Sequence, residues 1–225
     1  MLIAIDTSTA VAGICLYDID RSAVVDERVW QTGIRHAEQL MPQVDAALRL
    51  RGLGPADLHA IAVALGPGTF NGVRVGVATA KLLARARDLP IVGVDTLEPY
   101  AAAARGSGWL VRPLLGAARG EIATALWRAG AVLSRLEDDR IAGPHELFVQ
   151  PAELTLFTGE LTDEWRAALS RLGPRALVAT PAQAVRRPAL LAELGAERLR
   201  RGEVDDVATL APIYLRPPHI TAPRR

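Results

Sequence analysis

Two stretches of the chain carry residues whose types and spacing suit phosphate chemistry. The first is Asp6-Thr7-Ser8-Thr9, directly after the apolar run Leu2 to Ile5. Its hydroxyls and backbone N–H groups can donate to phosphate oxygens, but the same side chains also close ordinary polar turns through bonds to their own backbone. The second is Gly66-Pro67-Gly68-Thr69-Phe70-Asn71-Gly72-Val73-Arg74-Val75-Gly76. Its glycines permit a sharp strand-to-helix turn, Thr69 or Asn71 suits a helix cap, and a helix start can hold an anion. A cap without a ligand accounts for those residues equally well.

Other chemistries lack their parts. Lys81 is the only lysine and sits in a helical pattern with no glycine-rich phosphate loop leading into it, so neither Schiff-base chemistry nor a phosphate-gripping lysine is supported. Two histidines four apart on a helix would place both imidazoles on one face as metal ligands, but Leu40 stands where a partner of His36 would be. His59, His145 and His219 are scattered, and no metal is expected. Ser8 has no recognisable histidine or acid partner, and no Gly-x-Ser-x-Gly elbow exists. No catalytic residue is assigned.

The elements that position these residues follow from hydrophobic period. Leu2–Ile5, Val11–Tyr17 and Ala23–Trp30 read as three strands joined by tight turns, an antiparallel meander. Leu40, Val44, Ala47 and Leu48 then fall at helical spacing, giving a helix over 35–50 that stops at Gly52. Pro42 inside it predicts a start near Glu38 or a local irregularity. Ala60–Leu65 reads as a buried strand, the glycine-rich segment opens a helix to about Arg87, and Pro90–Val94 is a further strand. Gly72, Gly76, Ala80 and Ala84 recur every fourth residue, a nearly bare helix face that lets another element approach closely, within the lobe or from a partner.

From Leu110 the rhythm recurs more weakly. Strands are expected at 110–115, 122–127 and 131–136, with helical patterns near 144–149, 164–171 and 182–200. The reading is a two-lobed chain: residues 1–105 form the amino-terminal lobe, 106–216 a smaller second lobe, and 217–225 a proline-rich, basic, frayed tail. With 225 residues, half of them apolar, the core is substantial. The 26 basic and 25 acidic side chains nearly cancel, so the field that clamps nucleic acid by its phosphates is missing. Cys15 is the only cysteine and lies in an apolar run, which excludes an internal disulfide and fits a reducing compartment. The amino terminus resembles neither a signal peptide nor a membrane span, so a soluble, cytoplasmic chain with no membrane contact is expected.

These motifs also occur together in a known family. Asp6-Thr7-Ser8-Thr9, His36-Ala37-Glu38, the segment from Gly66 to Gly76, and Pro90-Ile91-Val92-Gly93-Val94-Asp95-Thr96-Leu97 stand in the order and spacing of TsaB (YeaZ-type) proteins, which the first hundred residues resemble throughout. In the second half Ala118-Arg119-Gly120-Glu121 and Pro212-Ile213-Tyr214-Leu215-Arg216 are similar, although Gly116-Ala117 stands where the family has an acid. The resemblance implies an α/β, actin-like fold of the sugar kinase, Hsp70 and ribonuclease H type, its second lobe reduced. It implies a non-catalytic partner of TsaD that works with the ATPase TsaE, meets tRNA through the complex, and supports transfer of a threonylcarbamoyl group to the adenine beside the anticodon. The helices holding His36, Leu40, Val44, Leu48, Gly72, Val73, Gly76 and Ala80 correspond to the family's partner-binding face. Asp6, Thr7 and Ser8 become a vestigial phosphate turn. No cofactor is expected on the chain alone; ATP or ADP at the interface of the complex, and a homodimer without TsaD, stay open. The competing expectation is a small ATP-dependent kinase or ATPase of the same fold.

Overall fold

A computed structural model describes residues 1–216; the tail expected at 217–225 lies outside the described residues. Strands β1 (Leu2–Asp6), β2 (Val11–Asp18) and β3 (Ala23–Gln31) form the meander. Helix α1 (His36–Leu50) leads to β4 (Ala60–Ala64), and α2 (Phe70–Arg87) leads to β5 (Ile91–Val94). These strands make one sheet in the order β3-β2-β1-β4-β5, antiparallel across the meander and parallel from β1 to β5. Contrary to the start expected near Glu38, α1 begins at His36; Pro42 lies inside it, accommodated on its exposed face.

After the short α3 (Glu98–Ala102), the same plan repeats. Strands β6 (Leu110–Gly116), β7 (Ile122–Ala129), β8 (Leu133–Ala142), β9 (Thr155–Gly159) and β10 (Ala176–Val178) form a sheet in the order β10-β9-β6-β7-β8. Its connecting helices are cut down: α4 (Pro144–Leu147) has 4 residues and α5 (Asp163–Leu169) has 7, against 15 and 18 for α1 and α2. This is an actin-like α/β fold with a reduced second lobe.

Side-chain size on the two faces of the first sheet decides what covers each. Ile3, Ile5, Ile14, Leu16, Ile61 and Val63 meet α1 and α2, whereas Ala4, Cys15, Ala60, Ala62 and Ala64 line the opposite face. Strand alternation sorts them. The shallow alanine face receives α6 (Pro188–Arg200) through Ala189, Leu191, Ala192 and Ala196. A segment that the sequence assigned to the second lobe therefore lies on the sheet of the first. α3 crosses the other way, placing Tyr100 and Ala101 against Val111, Leu115 and Ala123 of the second sheet. Each lobe's last helix packs on the other lobe's sheet, so the lobes share their cores.

The closeness of α6 depends on Gly195, where an added Cβ would stand 2.6 Å from that of Ala62. Gly195→Val is expected to lower stability by roughly 1–3 kcal/mol through overpacking, measured as a reduced midpoint of urea unfolding. An unchanged midpoint would show that α6 sits less tightly than described.

Candidate functional site

The turn at residues 6–9 is held from three sides. On one side lies the start of α2. The Thr69 N–H donates to the Ser8 carbonyl at 2.6 Å, and Thr7 Oγ1 donates to the Gly72 carbonyl at 2.7 Å. This contact explains the glycines. A Cβ on Gly68 would collide with the Ser8 carbonyl, on Gly72 with the Thr7 carbonyl, and on Gly76 with Thr7 Oγ1. Gly66, at φ +109°, makes the turn into the helix in a conformation that favours glycine. Thr69 takes the N-cap position but makes no side-chain cap bond.

From the second side, buried His36 at the start of α1 donates through Nε2 to the Thr9 carbonyl at 2.7 Å. The carbonyl can only accept, which fixes the proton on that nitrogen. His36 is thus a strut beneath the turn.

The third side is the cleft between the lobes, and Arg186 fills it. Its side chain is 5% exposed, and it donates to Asp6 Oδ2 at 2.5 Å, Ser8 Oγ at 2.7 Å and Glu160 Oε1 at 3.0 Å. Asp6 Oδ1 accepts from both the N–H and the Oγ of Ser8, and Thr9 Oγ1 donates to Glu160. The guanidinium also lies against the Tyr100 ring, 5.6 Å from its centroid. Burial alone would lower the Arg186 pKa; the surrounding Asp6, Tyr100 and Glu160 outweigh it and hold the group above its ordinary value. Burial pushes the Tyr100 hydroxyl up to about 12, so it stays protonated.

Such a site does not fit a nucleotide phosphate. The hydroxyls of Thr7, Ser8 and Thr9 already have partners, and carbonyl oxygens of the turn face the start of α2, where an anion would need free N–H groups. Two carboxylates against one guanidinium leave an excess negative charge. Residues Asp6, Thr7 and Ser8 are brought together as the sequence suggested, but into a polar lock between the lobes. Among the described residues no cluster of three or more His, Cys, Asp or Glu side chains is placed to hold a metal ion.

A family model described as "TsaD: tRNA N6-adenosine threonylcarbamoyltransferase" matches residues 31–171. The tRNA threonylcarbamoyladenosine biosynthesis protein TsaB of Bacillus subtilis is 36% identical over 220 residues, spanning 96% of this chain and 93% of that protein. The chain belongs to the TsaB family. TsaB of Escherichia coli matches more locally, at 33% identity over 96 residues, 43% of this chain and 40% of that one. The solved structure of YeaZ from Pseudomonas aeruginosa superposes with a TM-score of 0.79 at 23% identity, covering 95% of this chain and 99% of that one, and so shows the same fold. No described helix is long and apolar enough to cross a membrane.

The structure corrects one expectation for a TsaB-family chain directly. His36, Leu40, Val44, Leu48, Gly72, Val73, Gly76 and Ala80 are buried inside the first lobe, so these side chains are its core and not a contact surface. The bare stripe on α2 faces β1 and the 6–9 turn, which settles the choice between lobe and partner. Sequence reasoning missed Arg186, Glu160 and Tyr100, since nothing near them in the chain marks them out. The two familiar strings of the second half also meet: Arg216 donates to Glu121 at 2.6 Å.

Removing the guanidinium leaves two carboxylates facing each other in the closed cleft. Arg186→Ala is expected to cost about 3–5 kcal/mol, the range for breaking a buried pair from one side, read by urea denaturation at neutral pH. A loss below about 1 kcal/mol, the size of an exposed pair, would contradict the lock.

Proposed function

We propose that this chain is a non-catalytic scaffold in the synthesis of threonylcarbamoyladenosine on tRNA, pairing with TsaD and carrying no active site of its own. The observation that carries the reading is the cleft: the groups that a phosphate would use are taken by Arg186 and by the start of α2. Family membership supports the process, and the likeness to the TsaD model supports a partner of the same fold, since two chains of one fold can join through equivalent helices.

The surface for that pairing is the outer side of α1 and α2. Ile34, just before α1, is 96% exposed, Met41 on α1 is 42% exposed, and Leu82 on α2 is 70% exposed. Large apolar side chains open to water on neighbouring helices are the ordinary material of a protein interface. The surface continues into an open groove of about 640 Å³ formed by Phe70, Arg74, Ala78 and Tyr214. Without TsaD, the same face can join two copies of this chain.

TsaE joins the pair, and tRNA is met through the complex, in keeping with the near balance of 26 basic and 25 acidic side chains. ATP or ADP in this assembly belongs between chains and not in the closed cleft. A small kinase of the same fold would need free donors at the 6–9 turn, where each hydroxyl is occupied.

Mixed in equal amounts with TsaD of the same source, the chain is expected to elute from gel filtration as one heterodimer. The double variant Met41→Glu, Leu82→Glu should keep its melting temperature, because exposed substitutions usually change stability by less than about 0.5 kcal/mol, and should elute apart from TsaD. Co-elution of the variant would refute the placement of the surface. Failure of the unaltered chain to co-elute would refute the partnership.

A further inference from the structure

The lobes meet again where the turn after β5 faces β8, beside a cleft of about 400 Å³. Asp95 in that turn belongs to the first lobe. Its Oδ1 accepts from the Leu97 N–H at 2.6 Å, and its Oδ2 accepts from Arg135 of β8. The other arm of the Arg135 guanidinium donates to Asp139, also on β8, at 2.9 Å. The guanidinium lies over the Trp127 ring of β7, 4.6 Å from its centroid. One cation therefore sits between two carboxyls, one from each lobe, whose side chains are only 8% and 7% exposed.

Among the described residues Arg135 is the one cation paired with either carboxyl. The other charged groups lining this cleft are Glu98 of α3 and Arg198 of α6, and they pair with each other at 2.6 Å. Two shielded carboxylates on a single guanidinium repel each other, and the least costly remedy is a proton on one of them.

We propose that Asp139 keeps a proton beside Asp95, and that this proton together with Arg135 forms a clasp between the turn after β5 and β8 that loosens when the proton leaves. Burial, reinforced by the neighbouring Asp95, pushes the Asp139 carboxyl up from its ordinary 3.8 to about 7. An acid whose folded value exceeds its unfolded one keeps its proton in the folded chain between about pH 4 and 7 while the unfolded chain has lost it. Stability from the clasp is therefore full at the acid end, falls across that window, and is level above it. Once both carboxylates are charged, Arg135 balances only one of them, and the β5 turn is released from β8 with water able to enter the adjoining cleft.

The test is carboxyl ¹³C NMR on the full chain from pH 4 to 9, with amide hydrogen exchange of Leu97, corrected for intrinsic rate, as the reporter on the turn. Expected are an aspartate signal with a midpoint near 7 and Leu97 exchange about tenfold faster at the alkaline end, equivalent to about 1.4 kcal/mol. In Asp139→Asn the neutral midpoint disappears, Leu97 stays protected throughout, and the urea midpoint no longer falls between pH 5 and 7.5. Asp95→Asn, which removes the other carboxyl, should also abolish the neutral titration. The proposal is overturned if every aspartate of the unaltered chain titrates below about pH 5, a result independent of whether either variant folds. It is equally overturned if folded Asp139→Asn keeps the original pH dependence.

Discussion

The guanidinium of Arg186, enclosed by Asp6, Ser8, Glu160 and Tyr100, is the contact on which the organisation of the molecule turns. It comes from the segment leading into α6 and reaches the first turn of the chain, 180 residues away in sequence. Four ends of structure converge on it: the close of β1, the end of β9, α3 and the approach to α6. In a low-dielectric cleft a charge needs partners to be tolerated, and here the partners come from both lobes. The same group ties the two lobes together across the cleft.

The exchange of helices works in the same direction. α6 can lie on the first sheet because strand alternation puts the small residues Ala4, Ala60, Ala62 and Ala64 on one side, while α3 is carried to the second sheet by Leu97 and Tyr100. Separating the lobes would expose apolar surface on both sheets as well as break the lock. Hinge opening of the kind that admits a ligand is therefore disfavoured by burial and by charge together. The inner faces of α1 and α2 are committed to Ile3, Ile5, Ile61 and Val63, while Met41 and Leu82 on their outer sides stay exposed.

Much of the first lobe was legible in the sequence because its elements are long and periodic. The meander, α1, β4, α2 and β5 follow from apolar runs and turn residues, within a residue or two at their ends. In the second lobe β9 and β10 escaped notice, being 5 and 3 residues long with no clear alternation, and α3 was hidden within an alanine-rich stretch. The glycine pattern on α2 was visible, but what it approaches was not, since helix geometry says only that something comes close. Its neighbour proved to be the Asp6–Thr9 turn, which joins two motifs that the sequence treated separately. Arg186 was illegible for a different reason. In a chain whose basic residues are nearly all arginine, no single one is conspicuous, and its partners are set by the fold alone.

The central claim is that this fold has kept its surface and closed its cleft. Isothermal titration calorimetry of the isolated chain with ATP and magnesium tests it most directly. The account predicts no binding heat, because the hydroxyls of the 6–9 turn are engaged within the chain and the single Arg186 faces both Asp6 and Glu160 in the cleft. Saturable binding, abolished by adding bulk at the mouth of the cleft and followed by phosphoryl transfer, would contradict it.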